Sequence, residues 1–486
     1  MSPRPFHNPR ERQCQTRTTI LLFANFLIIS APKFFAWNRF ALVSCRMRIQ
    51  RFLLFAFLTL ALSAAAAAQE TSLLEVLQAD RLDGRDLGEI KLRELVGNVR
   101  MRQDNVFISC DRATQNLTRN TVDLSGNVVI RQDTLLLNTQ HGSYDANTKI
   151  AASQSGIHLN DGHITLKATI GSYATTSRIA DFVHDVVIDD TAATIYSGAM
   201  QYDRRSGLIV ATSDVRIRFK GENAVITADS VRHYPDEKHT YFYNEPILWQ
   251  IDTSYVRRNE EGRIDSLELD TLNLAGDFME ALRDSTNQFI TDGNVRMVRR
   301  DFAARAGRAL FLRADSLIIL QSSPILWNDQ NQLTGDSIAA RIANGDLTDL
   351  HVIGNAFSIS RSKPAEQDTL YPPDRFDQTK GRNIHMVFED NKPSNIRIEQ
   401  TAISLYYLFE DGALNGVRRE SGDLILLDFV DGEAKQIRTI GGVEGTYYPE
   451  KYVTGVESTY NLDGFIWRDD RPAMLPYPEI QVTILD

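Results

Sequence analysis

Cysteine is scarce in this chain of 486 residues, which contains only three. Cys14 and Cys45 lie near the start, so Cys110 is the only cysteine in the rest of the sequence. An intramolecular disulfide is therefore excluded for that part. Its stability must come from the burial of apolar side chains and from backbone hydrogen bonds.

The chain also lacks an excess of positive charge. Residues 1–68 hold nine of the 53 basic residues and one of the 63 acidic residues, so residues 69–486 carry 44 basic and 62 acidic side chains. A surface with this balance repels the phosphates of nucleic acid. We therefore expect no nucleic-acid partner.

The motifs of common catalytic sites are missing as well. The sequence contains no Gly-x-Ser-x-Gly turn, no phosphate-binding Gly-x-x-x-x-Gly-Lys, no His-Glu-x-x-His and no paired cysteines. Histidines are scattered near predicted turns, and the adjacent Asp189 and Asp190 point to opposite faces of a predicted strand. The sequence predicts a protein that is not an enzyme and has no metal site and no cofactor.

Long apolar runs are confined to the first 68 residues. Met47–Arg51 form a basic segment, Phe52–Leu62 form an apolar one, and the alanines at 64–68 offer a cleavage site before Gln69. The apolar run is shorter than the ~20 residues of a membrane-spanning helix, although an uncleaved anchor is the alternative. We expect residues 1–68 to be a presequence with a signal peptide, and Met47 to be the true start.

One pattern stands out against these absences. Apolar β-branched residues recur every 29 residues, at Val99, Val128, Ile157, Val186 and Val215. Most of them open a triplet of the form Val-x-apolar, and turn-forming pairs such as Gly97-Asn98 precede them. A fixed period of this length indicates stacked supersecondary units, with a turn expected before each strand.

Alternation with period two places the repeat on β-strands. In the segment 215–220, Val215, Ile217 and Phe219 occupy one face and three basic residues occupy the other. The only amphipathic helix that the pattern predicts is Ser72–Ala79. The sequence therefore predicts an all-β fold, a stacked-strand jellyroll or solenoid extended by longer repeats. Four arginines beside the repeat are expected to face solvent, namely Arg131, Arg216, Arg218 and Arg296.

The repeat also predicts how the chain is divided. Residues 69–250 carry the 29-residue period, and residues 251–360 continue it, with the Gly293-Asn294-Val295 triplet as the returning unit. Residues 361–486 contain β repeats of longer period and a tail without repeats, in which prolines are frequent.

These motifs resemble the OstA-like family. The resemblance rests on the Gly-Asn-Val-x-apolar unit, on tyrosines at 144, 173 and 202 with the same step, and on the phrase Asn331–Ile338. The family includes the periplasmic lipopolysaccharide-transport protein LptA and the N-terminal domain of the outer-membrane protein LptD. The resemblance implies a jellyroll with an open apolar groove that binds the lipid A acyl chains of lipopolysaccharide. It also implies a periplasmic location near the outer membrane, and end-to-end joining through edge strands to other transport proteins or to further copies.

The inward apolar positions of the repeat are the candidate lipid-binding residues. They are Val99, Met101, Val128, Ile130, Val186, Ile188, Val215, Ile217, Phe219, Val295 and Met297. Alternation alone leaves open that this face closes on itself as an ordinary core. Two other functions also fit a stack of strands: a β-helix enzyme that acts on polysaccharides, and a structural or adhesive β solenoid.

Overall fold

The computed structural model describes most of the chain after the predicted presequence, which lies outside the described residues. The described ranges are 72–189, 193–220, 223–258, 264–283, 286–300, 302–343, 346–362, 372–389, 392–410, 412–430 and 433–478. Within these ranges, no helix is long and apolar enough to span a membrane.

Strands make up most of the described chain. The first fifteen are β1 (Glu75–Gln78), β2 (Arg81–Asp86), β3 (Lys91–Gln103), β4 (Val106–Asn116), β5 (Thr121–Gln132), β6 (Leu135–Asp145), β7 (Ile150–Ser153), β8 (Ile157–Asn160), β9 (Thr165–Ala168), β10 (Ile170–Ala174), β11 (Ile179–Asp189), β12 (Ala193–Asp203), β13 (Ile209–Phe219), β14 (Ala224–Tyr234) and β15 (His239–Tyr243).

The second half continues in the same way. Its strands are β16 (Ile247–Arg258), β17 (Ile264–Ala275), β18 (Phe278–Leu282), β19 (Gln288–Val298), β20 (Phe302–Leu312), β21 (Leu317–Gln321), β22 (Ile325–Asn328), β23 (Asn331–Thr334), β24 (Ser337–Ala343), β25 (Asp346–Arg361), β26 (Phe376–Glu389), β27 (Lys392–Glu410), β28 (Ala413–Val430), β29 (Glu433–Ile440) and β30 (Glu444–Pro449). The short helix α1 (Glu450–Val453) and two 3₁₀ turns, Arg313–Asp315 and Glu457–Tyr460, complete the elements.

The strands form one large antiparallel sheet, which confirms the predicted all-β class. The helix predicted for Ser72–Ala79 is wrong, because Glu75–Gln78 pair with β3 as strand β1. The apolar residues of this segment also fit period two: Leu74 is buried, and Val76 packs against the same core. Strand pairing therefore buries the apolar side chains that suggested a helix.

The predicted turns before each repeat are corners inside longer strands. Gly97 and Asn98 both have positive φ, at 78° and 45°, and the register of β3 against β4 shifts at this point. Paired left-handed residues of this kind bend a strand sharply. The same pair of positive angles recurs at 126–127, 184–185, 213–214 and 293–294. Each corner divides its strand into two arms.

We call the two halves of the folded sheet arm A and arm B. Arm A contains the segments that include Leu95, Leu124 and Tyr144, and arm B contains the segments that include Met101 and Ile130. An aspartate next to several corners accepts a hydrogen bond from the corner asparagine. These pairs are Asn98 with Asp80, Asn127 with Asp111, Asn294 with Asp277 and Asn355 with Asp336.

A single row of apolar residues crosses the inner face of arm B, each residue opposite the next on the neighbouring strand. Its seventeen members are Val76, Met101, Ile108, Ile130, Leu137, Leu159, Leu166, Ile188, Ile195, Ile217, Ile226, Leu248, Leu274, Met297, Ala304, Leu326 and Leu333. We call this set the inner row. At a strand spacing of ~4.8 Å it extends roughly 75 Å.

The inner row becomes polar after Leu333. The next residues in the same line of pairing are Ser358, Thr379, Ser404 and Glu420. On these same strands the apolar residues occupy the opposite, outer face, where Phe357, Ile359, Phe376, Leu405, Tyr407 and Val417 form a second core with residues of the C-terminal segment. The inner lining of arm B therefore changes from apolar to polar between β23 and β25, while on its outer face Val298, Ala303 and Trp327 are already buried before this point.

The C-terminal segment 461–478, which we call the strap, contains no helix or strand and crosses the outer face of arm B. Gln378 Oε1 accepts a hydrogen bond from Leu462 N at 2.8 Å, and Gln332 Oε1 accepts one from Arg468 N at 2.9 Å. Further along, Leu475 N donates to Asn273 Oδ1 at 2.6 Å. The strap therefore runs back over strands that precede it by 84 to 202 residues.

Candidate functional site

The predicted lipid-binding residues line the inner face of arm B. Ten of the eleven are at most 4% exposed, namely Val99, Met101, Val128, Ile130, Val186, Ile188, Val215, Ile217, Val295 and Met297. Phe219 is half-buried and packs against the same core. The structure thus brings all eleven to one continuous interior, and Met101, Ile130, Ile188, Ile217 and Met297 belong to the inner row itself.

The wall that faces them was not identified from the repeat. It is formed by inner residues of arm A, including Leu95, Val122, Leu124, Tyr144, Tyr173, Phe182, Met200 and Phe242, all of which are buried. The sequence does contain a pattern that could have identified this wall. Its positions 95, 124, 153 and 182 are spaced by 29 residues, and three of them are the apolar Leu95, Leu124 and Phe182, with Ser153 as the exception. The two walls form one hydrophobic core.

Side-chain hydrogen bonds join the tips of the two arms on the side away from the corners. The hydroxyl of Tyr144 donates to Gln103 Oε1 at 2.6 Å, and the hydroxyl of Tyr173 donates to Gln132 Oε1 at 2.6 Å. The third pair is Tyr202 with Asp161. In every pair the partners are 41 residues apart. We call these three pairs the seam.

Each glutamine of the seam also donates to backbone across the gap. Gln103 Nε2 bonds the carbonyl of Ala146 at 2.9 Å, and Gln132 Nε2 bonds the carbonyl of Thr175 at 3.1 Å. Because Gln103 and Gln132 are almost fully buried, these bonds satisfy polar groups that would otherwise be costly to bury.

The seam also perturbs the acidity of its members. Burial raises the pKa of Tyr144 to about 12. Burial and then the hydrogen bond to Asp161 raise the pKa of Tyr202. Burial opposes ionisation of Asp161, but hydrogen bonds from Tyr202 and from the amides of Ile164 and His163 together lower its pKa. The third pair therefore joins a neutral hydroxyl to a carboxylate, a stronger bond than the two neutral pairs.

The interior is filled by its own side chains at the level of the seam. Residues of both walls there have exposed fractions near zero, so they touch one another rather than solvent. Within the described residues, an acyl chain could enter this part of the interior only if the arms moved apart. Opening of the seam is the movement that would allow it.

The two ends of the stack are less well covered. β1 and β2 pair with β3 on one side, and β29 and β30 pair with β28 on the other. Leu82, which lies opposite the buried Leu95, is 53% exposed, and Ile437, opposite Leu427, is 41% exposed. Apolar interior residues therefore reach solvent at both terminal edges.

The four arginines beside the repeat do not contribute to this interior. Arg131, Arg218 and Arg296 are exposed, and Arg216 is half-buried with its guanidinium 2.7 Å from the carboxylate of Asp214. No basic side chain was identified that would recognise a lipid phosphate inside the described part of the interior.

Comparison with known proteins supports the sequence-based resemblance. The family model described as OstA-like protein matches residues 71–218. This stretch is similar to the OstA-like family. The match covers β1 to β12 and all of β13 except its last residue, and the seam and the first ten residues of the inner row lie within it. Among proteins with curated descriptions, none matches the chain.

One solved structure to which part of this chain is similar is that of LptH from Pseudomonas aeruginosa. LptH is described as the LptA-homologous periplasmic component of the conserved lipopolysaccharide transport device. The identity is 14%, and the alignment covers 30% of this chain and 95% of LptH, with a TM-score of 0.23. Beyond residue 218, the continuity of the OstA-like segment with the rest of the stack rests on the strand pairing described above.

Proposed function

We propose that this protein binds the acyl chains of lipopolysaccharide and carries them along the inner row toward the outer membrane. The observation that carries the proposal is the row itself, because seventeen consecutive strand crossings place an apolar residue on the inner face without interruption. A path of this kind shields acyl chains from water at about 25 cal/mol for each Å² of apolar surface removed. The OstA-like match over residues 71–218 supports the same function.

The proposed mechanism is passive binding and sliding. The seam opens, acyl chains replace contacts between the two walls, and the lipid moves along a surface on which each position is chemically similar to the next. The energy comes from outside the protein. The residues proposed to touch lipid are the eleven predicted from the repeat, together with the facing wall of arm A, and no catalytic residue is needed.

Export and partners belong to the same proposal. The presequence, with its signal peptide beginning at Met47, would deliver the chain to the periplasm. The edge strands at both ends offer unpaired backbone groups to other transport proteins or to a second copy. Their exposed Leu82 and Ile437 provide apolar contacts for such a partner.

The predicted division of the chain fits this proposal. The inner row crosses the boundary at residue 250 without a break, since Leu248 lies opposite Leu274. It becomes polar at Ser358, next to the boundary predicted at residue 360. We propose that residues 69–360 form the lipid-binding part, and that residues 361–486 form a part with a different lining.

Photo-crosslinking in cells tests the proposal directly. A photoreactive phenylalanine analogue at Ile217 should label lipopolysaccharide, whereas the same analogue at the adjacent, outward-facing Arg218 should not. Mass spectrometry of the labelled species identifies the lipid. Labelling at neither position, or equal labelling at both, would contradict the proposal.

The rival functions give different results. Every strand pair among the described residues is antiparallel, whereas the β-helix enzymes considered above stack parallel strands. The antiparallel pairing therefore supports the lipid-binding proposal over that enzyme class, and cleavage of a glycan by the purified protein would contradict the proposal. A structural or adhesive solenoid would bind no amphiphile at all.

A further inference from the structure

Two histidines and an aspartate converge on the outer face of arm A, outside the lipid path. Asp349 and His351 are two residues apart on β25, and His385 lies directly opposite His351 on β26. Alternation places all three on the same face of the sheet. Their neighbours Val352 and Ile384 are buried on the inner face, so the three side chains point away from the interior.

The distances within this cluster are close to those of a metal site. His385 Nε2 lies 3.0 Å from Asp349 Oδ1, and the rings of His351 and His385 stack with centroids 3.8 Å apart. One ligand atom from each residue lies within 4.8 Å of the others. In a tetrahedral zinc site with bonds of 2.0–2.1 Å, ligand atoms are separated by about 3.3 Å. Rotation of the His351 side chain out of its stack with His385 would bring its ring nitrogen to this separation.

We propose that Asp349, His351 and His385 form a binding site for a divalent transition metal, with Zn²⁺ as the ion that best suits two imidazoles and a carboxylate. The sequence predicted no metal because these residues fall into no spaced motif: the two histidines are 34 residues apart and meet only through the pairing of β25 with β26.

The surroundings favour ligation by the neutral imidazole. Burial and the neighbouring His385 lower the pKa of His351. Two arginines lie nearby, but each contacts another acceptor. Arg341 Nη1 donates to the carbonyl of Asp315 at 3.0 Å, and Arg397 pairs with Glu399. On metal binding, His385 Nε2 and Asp349 Oδ1, which now contact each other at 3.0 Å, would both become ligands.

Three protein ligands leave a fourth position for water or for a donor from another molecule. His351 is exposed and the other two are half-buried, so the open position faces solvent. The metal would tie β25 to β26 on arm A, over the buried Val352 and Ile384. This inference is independent of the lipid proposal, because none of the three residues lines the interior.

Calorimetric titration of the purified protein with zinc chloride tests the site. We expect one strong site per chain, weakened at least tenfold in His351→Ala and in His385→Ala. The matched control is His239→Ala, which removes the histidine that contacts Glu280 on another part of the sheet and should leave zinc affinity unchanged. A zinc-dependent rise in the melting temperature should likewise be lost in the first two variants only.

Two results would overturn the site. One is zinc binding of unchanged strength in both His351→Ala and His385→Ala. The other is an equal loss of binding in His239→Ala, which would show that zinc binds histidines without selectivity. Circular dichroism of each variant establishes that the sheet is retained, and Asp349→Asn, which keeps the side-chain size, should weaken binding without a change in fold.

Discussion

The hydroxyl of Tyr144 donates a hydrogen bond to Gln103 Oε1 at the seam between the two arms, at a distance of 2.6 Å. Tyr144→Phe keeps the ring and leaves the buried oxygen of Gln103 without this donor. Loss of one partner of a buried hydrogen bond costs about 1–3 kcal/mol. We expect the free energy of unfolding to fall by that amount in urea titration, and acyl probes to bind faster in stopped-flow fluorescence because the seam opens more easily. Tyr196→Phe, at a half-buried tyrosine outside the seam, should change neither quantity.

If the seam only stabilises the fold, Tyr144→Phe will lower stability while the rate of probe binding stays the same. The double variant Tyr144→Phe with Tyr173→Phe separates the two roles further. Its rate of uptake should exceed that of either single variant if the pairs act together as a closure.

Glycine can be needed at a bend for two separate reasons, and substitutions at Gly126, in a corner, and at Gly156, between β7 and β8, distinguish them. Gly126 has φ 73° and Gly156 has φ 85°, so alanine strains the backbone at both. At Gly126 a Cβ would also meet the carboxylate of Asp111, whereas at Gly156 it would meet nothing within 4 Å. Gly126→Ala should therefore lower the melting temperature more than Gly156→Ala. Equal effects would show that the aspartate moves aside without cost.

We expect the carboxyl group of Asp377 to make the stability of the protein depend on pH. Burial raises its pKa to about 6, although Tyr407 N donates a hydrogen bond to its carboxylate. Because the folded pKa lies above the ordinary value of 3.8, the folded state binds the proton more tightly than the unfolded state. This contribution to stability is therefore present at low pH and is lost as the pH rises from about 4 through 6.

The measurement is urea unfolding of the protein and of Asp377→Asn at a series of pH values. The variant should lack this fall in stability, so the difference between the two proteins should change between pH 4 and pH 6 and be constant above. A difference that is constant over the whole range would show that Asp377 ionises normally.

The strap contacts two tryptophans, and we expect its removal to expose them. Trp327 Nε1 donates to the carbonyl of Arg468 at 3.0 Å, and the ring of Trp249 lies 6.5 Å from that of Tyr477. Removal of residues 461–486 should therefore make Trp249 and Trp327 accessible to acrylamide, seen as stronger quenching of their fluorescence. A shorter truncation that removes residues 479–486 keeps the strap and should leave quenching unchanged. Equal quenching in the two truncations would mean that other residues cover these rings.

The repeat made half of the interior predictable. Val99, Val128 and the other inward positions share a 29-residue step, and period two assigns them to one face, so both their strand type and their burial follow from the sequence. The pairs of turn residues were predicted as turns that precede each strand. Their place in the middle of a strand was not, because two successive left-handed residues look the same at a corner as in a turn.

Contacts between distant segments could not be predicted. The seam joins residues 41 apart, and neither Gln103 nor Tyr144 indicates its partner, because many polar residues have that spacing. At Phe357, Ser358 and Ile359 the alternation is clear in the sequence, but which face is inner depends on the corner and on the strap. The strap depends on contacts such as Leu475 with Asn273, and no local pattern indicates a partner 202 residues away.

The polar stretch that follows Leu333 gives the molecule two chemically different ends. The inner row begins at Val76, on the first strand, but it stops four strand crossings short of β30, at Ser358. In a filament of copies joined head to tail, every junction would contain this polar interval, about 19 Å at ~4.8 Å per strand. On arm B, self-association would therefore not lengthen the apolar row, whereas the facing wall of arm A stays apolar as far as Ile425 on β28.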